Sequence, residues 1–226
     1  VLLANAHFGG EQVYVRLYRK MGVIDEDTEV RAAAAFALGA HGGPEDAPVL
    51  AELFKDQSPF VRFQAARGLQ KIHNPEVVKA LVAQVSPDNE ENADVRAAVA
   101  YALGQYPQEI AYQALISALD DRSYGVVAAA SGSLQTLTGH SVSGDDGRLW
   151  NQWESKHQGN LFDGGGTYVW HEYQSPERWF KLLAFWSWGR SKDSGNAPRG
   201  MATGPDQSAM HIDLSTTYLI NQTAIR

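Results

Sequence analysis

Cysteine is absent from the 226 residues of this chain, so disulfides, thiolate metal sites and cysteine nucleophiles are excluded. A cysteine-free composition suits an oxidising or a reducing compartment equally and leaves the location open. Long apolar runs are also missing: no stretch approaches the roughly 18 residues that a membrane-spanning helix requires. Basic residues are in the minority, with 19 Lys and Arg against 26 Asp and Glu, a formal charge of −7 and a pI near 5.5. Nucleic-acid affinity rests on Lys and Arg opposite phosphates, so this balance argues against a DNA- or RNA-binding surface. Methionine is lacking at position 1, which is Val1. Processing, truncation or a partial reading would each leave such a start, and a removed signal peptide is among those routes.

What is present argues for a folded chain. A hydrophobic content of 44% with 20% charged residues is ordinary for a protein that buries a core, and general disorder is therefore excluded. The strongest signal is an internal repeat. Val30, Val61, Val95 and Val126 anchor similar segments at steps of 31, 34 and 31 residues, a period that suits two helices and two turns per unit. Three of the anchors are followed by an arginine, namely Arg31, Arg62 and Arg96. Between anchors lies a second helical segment each time: Ala47 to Phe54, Val77 to Val85 and Ile110 to Leu119. The opening of the chain, with an apolar run at Val1 to Ala6 and a helix near Gln12 to Met21, reads as the end of an earlier unit, so the array is cut or capped at its start.

Each part of the repeat has a physical reason. Val30, Ala33, Ala34, Ala37 and Leu38 fall on one helical stripe, and that stripe is expected to be buried. Asp27 or Thr28 can cap the amino end of this helix. Gly39 and Gly104 are expected to stop their helices in a left-handed conformation. Asp46 is expected to cap the following helix, with Pro48 in its first turn. A two-helix unit cannot bury its stripe alone, so the units must stack. The expected fold is all-α, a right-handed superhelical α-α solenoid over residues 1–140.

The pattern Asp-x-x-Val-Arg-x-Ala-Ala-x-x-Leu-Gly, followed by a second helix and a new Asp, resembles the bacterial HEAT repeats, including the phycobilisome-lyase-like type. The resemblance spans about residues 27–139. It implies an α-solenoid and, for function, a range of unrelated roles. The fourth unit departs from it, because Val127 replaces the arginine and Gly125, Ser131 and Gly132 are expected to loosen its helix.

After His140 the texture changes. Residues 141–189 read as a Trp-rich capping segment, with Trp150 and Trp153 on one face of a short helix from Arg148 to Lys156 that covers the last repeat. Gly164-Gly165-Gly166 reads as a turn, Thr167 to Tyr173 as a short extended piece, and Ser175-Pro176-Glu177 as the start of an aromatic helix. Residues 190–226 read as an extended arm, ordered alone or only on a partner, with Met210 to Ile220 as an edge strand or partner-bound extension.

Chemistry is sparse. None of the seven histidines (His7, His41, His73, His140, His157, His171, His211) forms an H-E-x-x-H pattern; the HEAT resemblance implies that iron-binding members carry paired His-Glu motifs within their repeats, whereas His171-Glu172 lies outside them and stands alone. The glycine triplet lacks the Lys-Ser or Lys-Thr of a phosphate loop, and no G-x-S-x-G occurs. The carboxylates Glu90-Glu91 and Asp145-Asp146 fall in loops and are expected to be solvated. Catalytic, cofactor and metal residues are therefore all expected to be none. The recurring arginines form either a basic ladder for an acidic ligand or, as the plainer reading, pairs with an Asp or carbonyl of the adjacent unit. The aromatic helix supplies the partner-binding candidates Trp179, Phe180, Trp186 and Trp188. Packing back on the solenoid is the bland alternative, and shallow membrane attachment beside Arg178 and Lys181 is another. The function expected is a non-enzymatic protein-protein interaction scaffold or accessory subunit of a larger assembly. A HEAT-frame enzyme or chromophore-lyase-like protein is the alternative.

Overall fold

The computed structural model describes residues 10–141, 145–170 and 196–201. Among them nine α-helices follow one another: α1 (Gln12–Ile24), α2 (Thr28–His41), α3 (Ala47–Glu52), α4 (Pro59–Leu69), α5 (Val78–Gln84), α6 (Ala93–Leu103), α7 (Glu109–Ala118), α8 (Tyr124–Thr138) and α9 (Gly147–Lys156). Short 3-10 turns at Pro44–Asp46, Leu53–Lys55 and Pro75–Val77 flank α3 and lead into α5. No strand occurs among the described residues; the two isolated backbone bridges join Ile72 to Arg199 and Trp170 to Asn196. The fold is an all-α solenoid.

Packing follows the repeat. The Val-anchored helices form an inner row in which α2 packs on α4, α4 on α6 and α6 on α8. The second helices form an outer row, with α3 against α4, α5 against α6 and α7 against α8. Helix α1 packs on α2 as extensively as the inner helices pack on one another, and so covers the first described unit. The leucine eight residues beyond each anchor (Leu38, Leu69, Leu103, Leu134) is fully buried, and each such burial is worth about 1.5–3 kcal/mol. Buried side chains from Val15 to Trp150 make one continuous core.

The stripe on α2 is broader than periodicity suggests. Ala32 and Ala35 are buried as well as Ala34, Ala37 and Leu38, while Val30 and Ala33 are half-buried. A helix held between α1 and α4 is covered on two sides, so a single narrow face does not describe it.

Asp27 caps α2 by accepting a hydrogen bond from the Glu29 N–H at 2.7 Å. Three other expectations need correction. Gly39 does not end α2, which continues to His41; a Cβ there would lie 2.5 Å from the Gly68 Cα, so this glycine lets α2 and α4 approach backbone to backbone. Gly104 is right-handed, with φ −61°, and faces Ser133 on α8. Asp46 is buried and does not cap α3; it accepts from the Gly43 N–H at 2.9 Å and from Arg19 on α1. The fourth unit is not loosened either, for α8 is the longest helix described, at 15 residues. The helix end that does use a left-handed glycine is that of α8, where Gly139 has φ 67°.

Candidate interaction surfaces

The arginines after the anchors turn inward along the array. Arg31 donates to both oxygens of Asp56 at 2.6 and 3.0 Å, Arg62 to both of Glu90 at 2.6 and 2.7 Å, and Arg96 to both of Asp121 at 2.7 and 2.9 Å. Each guanidinium also binds two carbonyls in the turn before its own helix, such as Asp56 and Gln57 for Arg62. Each carboxylate in turn accepts a backbone N–H two residues on, from Ser58, Asn92 and Ser123. One ion pair thus joins neighbouring units and fixes the turn entering the next helix. The ladder is structural, and it stops where Val127 takes the arginine's place.

Electrostatics agree with that geometry. Arg31 holds Asp56 below its ordinary range, and Arg96 does the same to Asp121. Burial pushes Glu90 up, but Arg62, the Asn92 N–H and Gln84 outweigh it and the carboxyl ends below its ordinary value. Glu90 is fully buried, which corrects its reading as a solvated loop acid. Asp146 does stay near the surface, capping α9 through the Arg148 N–H at 2.9 Å.

Helix α9 covers the end of the array. Trp150 is fully buried, edge-on to Tyr112 of α7 at 6.5 Å, and its carbonyl accepts from the Tyr112 hydroxyl at 3.2 Å. Trp153 lies between two imidazoles, stacked on His140 at 5.1 Å and on His157 at 4.4 Å. Capping thus uses both tryptophans.

Beyond α9 the chain runs back along the edge formed by the carboxy ends of the inner helices. The glycine triplet starts this return: the Gly166 N–H donates to the Thr136 carbonyl at 2.8 Å, and a Cβ on Gly164 or Gly165 would meet the Thr138 or Leu137 carbonyl at 2.7 Å. Side chains have no room where the segment presses on α8. Tyr168 is then buried, and the Trp170 ring receives the Lys71 ammonium at 4.4 Å. Trp170 and Asn196 exchange backbone hydrogen bonds of 2.9 and 3.1 Å. Residues 196–201 finish the return at the first unit, where Arg199 binds the carbonyls of Gly39, Ala40 and Gly42. The two described stretches, residues 164–170 and 196–201, therefore reach the fourth, second and first Val-anchored units. Of the stretch read as an arm, these six residues are the described part.

An open groove of about 710 Å³ lies on the outer row, lined by Val82, Gln108, Glu109, Ile110, Gln113, Ala114 and Ser117. Ile110, one of the lining residues, is 43% exposed. Glu109 stands in the first turn of α7, and Gln113 leads to Glu154 of α9 through a 2.8 Å hydrogen bond. The groove thus mixes apolar and polar side chains, with the Glu109 carboxylate among them and Glu154 next to Gln113. Its residues carried no motif; the signal available was an isoleucine at the solvent face of a second helix.

The sequence candidates Trp179, Phe180, Trp186 and Trp188 lie outside the described residues, as do Arg178, Lys181, His7, His171-Glu172, His211, Val1 to Ala6 and Met210 to Ile220. Among the described residues no three His, Cys, Asp or Glu gather as a metal site would require, and no helix is long and apolar enough to cross a membrane. His73 stacks on Tyr106 at 4.9 Å; burial lowers its pKa, with Gln105 opposing.

Residues 20–92 match the family described as HEAT repeats, and residues 55–135 match it again. The two spans together cover just over half of the chain. No curated protein matches the chain.

Proposed function

The chain belongs to the HEAT repeats, and from that premise we propose that it is a non-enzymatic interaction scaffold, an accessory subunit that holds a protein partner on its outer row. HEAT repeats generally mediate protein-protein interaction. The observation that carries the reading is the α5–α7 groove, lined by exposed Ile110 and by Glu109, with Glu154 bonded to its Gln113. Apolar contact at the centre with charge at the edge is the usual anatomy of a binding patch. A partner that fits presents an apolar side chain flanked by Lys or Arg. Trp179, Phe180, Trp186 and Trp188 are proposed as a second contact with the same partner, since tryptophan dominates binding hot spots.

Affinity capture from native extract tests this. The wild-type chain should retain one protein at near-equal stoichiometry, and Ile110→Glu should reduce that retention at least tenfold while leaving the fold intact by circular dichroism. Recovery of the wild type as a lone monomer, or equal retention by both, would sink the reading.

A finer reading rests on the Val-Arg-x-Ala-Ala signature alone: we infer a likeness to bacterial, phycobilisome-lyase-like repeats, with handling of a chromophore as the alternative function. Visible absorbance of the purified chain after mixing with a linear tetrapyrrole is the discriminating measurement, and a spectrum unchanged from free pigment removes this alternative.

A further inference from the structure

Gly39 and Ala40 sit in the last turn of α2, where carbonyls have no amide partner further along the helix. The Gly43 N–H, which a continued helix would direct to the Gly39 carbonyl, instead donates to Asp46. The carboxy end of α2 therefore presents unsatisfied oxygens at the negative end of its dipole. With the Gly42 carbonyl beside them they form a cup, and Arg199 fills it: Nε donates to Gly42 at 2.6 Å, Nη1 to Ala40 at 3.0 Å and Nη2 to Gly39 at 2.5 Å. The planar fork of a guanidinium suits three converging oxygens in a way that a lysine ammonium does not.

This arginine is held differently from those of the ladder. Arg31, Arg62 and Arg96 each carry a bidentate carboxylate, whereas among the described residues no carboxylate ion-pairs with Arg199. Asp46, the acid that acts on it through space, is already engaged by Arg19 and the Gly43 N–H. Half-burying a cation against neutral carbonyls forgoes most of its hydration without the Coulombic return of an ion pair. In line with this, burial lowers the Arg199 pKa, while the three ladder arginines are raised by their carboxylates. The backbone around it pairs at two isolated bridges: the Arg199 N–H donates to the Lys71 carbonyl at 2.8 Å and the His73 N–H to the Arg199 carbonyl at 2.7 Å, and Asn196 pairs with Trp170.

We propose that the carboxy end of α2 is a guanidinium-binding site, that residues 196–201 are its exchangeable occupant, and that the segment opens to admit the arginine of an extended segment from another protein. Lys71 and His73 supply backbone pairing to any sequence, and the carbonyl cup supplies the requirement for arginine. The site lies on the inner-helix edge and is independent of the α5–α7 groove, so failure of either leaves the other standing.

The test uses the full chain and a fluorescein-labelled peptide with the sequence of residues 194–203. In the wild type the cup is filled from within; in Arg199→Ala it is empty. The peptide should bind Arg199→Ala at least tenfold more tightly than the wild type, and a peptide with alanine in place of its arginine should bind neither. Equal binding to both proteins, no binding to a folded Arg199→Ala, or indifference to the peptide's arginine would overturn the proposal. A second measurement needs no variant. In wild-type hydrogen exchange, the His73 and Arg199 amides should share one rate, at least a hundredfold faster than a core amide such as Leu103. Exchange of all three only through global unfolding would make the segment a permanent part of the fold and refute exchangeability. A concentration-dependent dimer that Arg199→Ala abolishes would assign the cup to a second copy and overturn the partner reading.

Discussion

Replacing Gly39 by alanine adds one methyl group at the closest approach of two inner helices. Alanine is favoured over glycine within a helix by about 1 kcal/mol, so in an uncrowded helix the change would stabilise. Here the added Cβ would lie 2.5 Å from the Gly68 Cα and 3.4 Å from the Gly68 nitrogen. Ordinary carbon contacts need about 3.5–4 Å, so α2 and α4 must separate by roughly 1 Å. The obstacle is backbone, which no rotamer change relieves, and the separation loosens Leu38 and Leu69, both fully buried. Overpacking of this kind costs about 1–3 kcal/mol; taking the upper end against the helical gain leaves a net loss of about 2 kcal/mol. Gly132 on α8 is the control, because a Cβ there meets nothing within 4 Å, and Gly132→Ala should gain up to about 1 kcal/mol. For a chain of this size each kcal/mol moves the thermal midpoint by about 2–4 °C. Melts followed by circular dichroism should thus show Gly39→Ala falling by about 4–8 °C and Gly132→Ala rising by a few degrees. A Gly39→Ala midpoint equal to or above the wild type would refute close approach of α2 and α4.

Three further predictions concern the ladder and acid. Arg62→Met strands Glu90, whose carboxylate is fully buried, with only Gln84 and the Asn92 N–H; breaking such a pair costs roughly 3 kcal/mol, and urea titration should show it. Asp56, Glu90 and Asp121 are depressed in the folded chain, so their contribution is fully present above their ordinary values of 3.8 and 4.5 and is lost as pH falls through the lower folded values. In Arg62→Met burial, already the largest single influence on Glu90, loses its main opposition, and the acid-unfolding midpoint should move to higher pH; an unmoved midpoint would count against the ladder. His73 is also depressed from 6.5, so its contribution is present above that pH and declines as pH falls below it. The stability difference between wild type and His73→Phe should narrow or reverse between pH 7 and 5, and a difference independent of pH would contradict the burial of that ring.

The inner helices were legible because their punctuation recurs: an acid or polar cap, Val-Arg, an alanine run and Leu at fixed offsets. Gly39 and Gly104 misled for a physical reason. A glycine near a helix end looks the same in sequence whether it takes a left-handed conformation or admits a neighbouring helix, and only the position of α4 or α8 tells them apart. Glu90 was hidden because its partner Arg62 lies 28 residues away in a different unit, while its own loop is rich in polar residues. The pairing of arginines with the next unit could be anticipated, since a repeated charge inside a repeated contact must meet a repeated counter-charge. Arg199 could not. It sits in a polar stretch without periodicity, and its partners are carbonyls 157 to 160 residues away, which no side-chain pattern encodes. The α5–α7 groove is likewise a property of spacing between helices from separate repeats.

The most direct test of the scaffold account is a hydrogen-exchange footprint of the chain bound to the protein it captures. Amides of α5 and α7, residues 78–84 and 109–118, should slow on binding, while those of α1 and α2 keep their rates. Slowing confined to the inner row, or no change along the outer row in a stoichiometric complex, would contradict it.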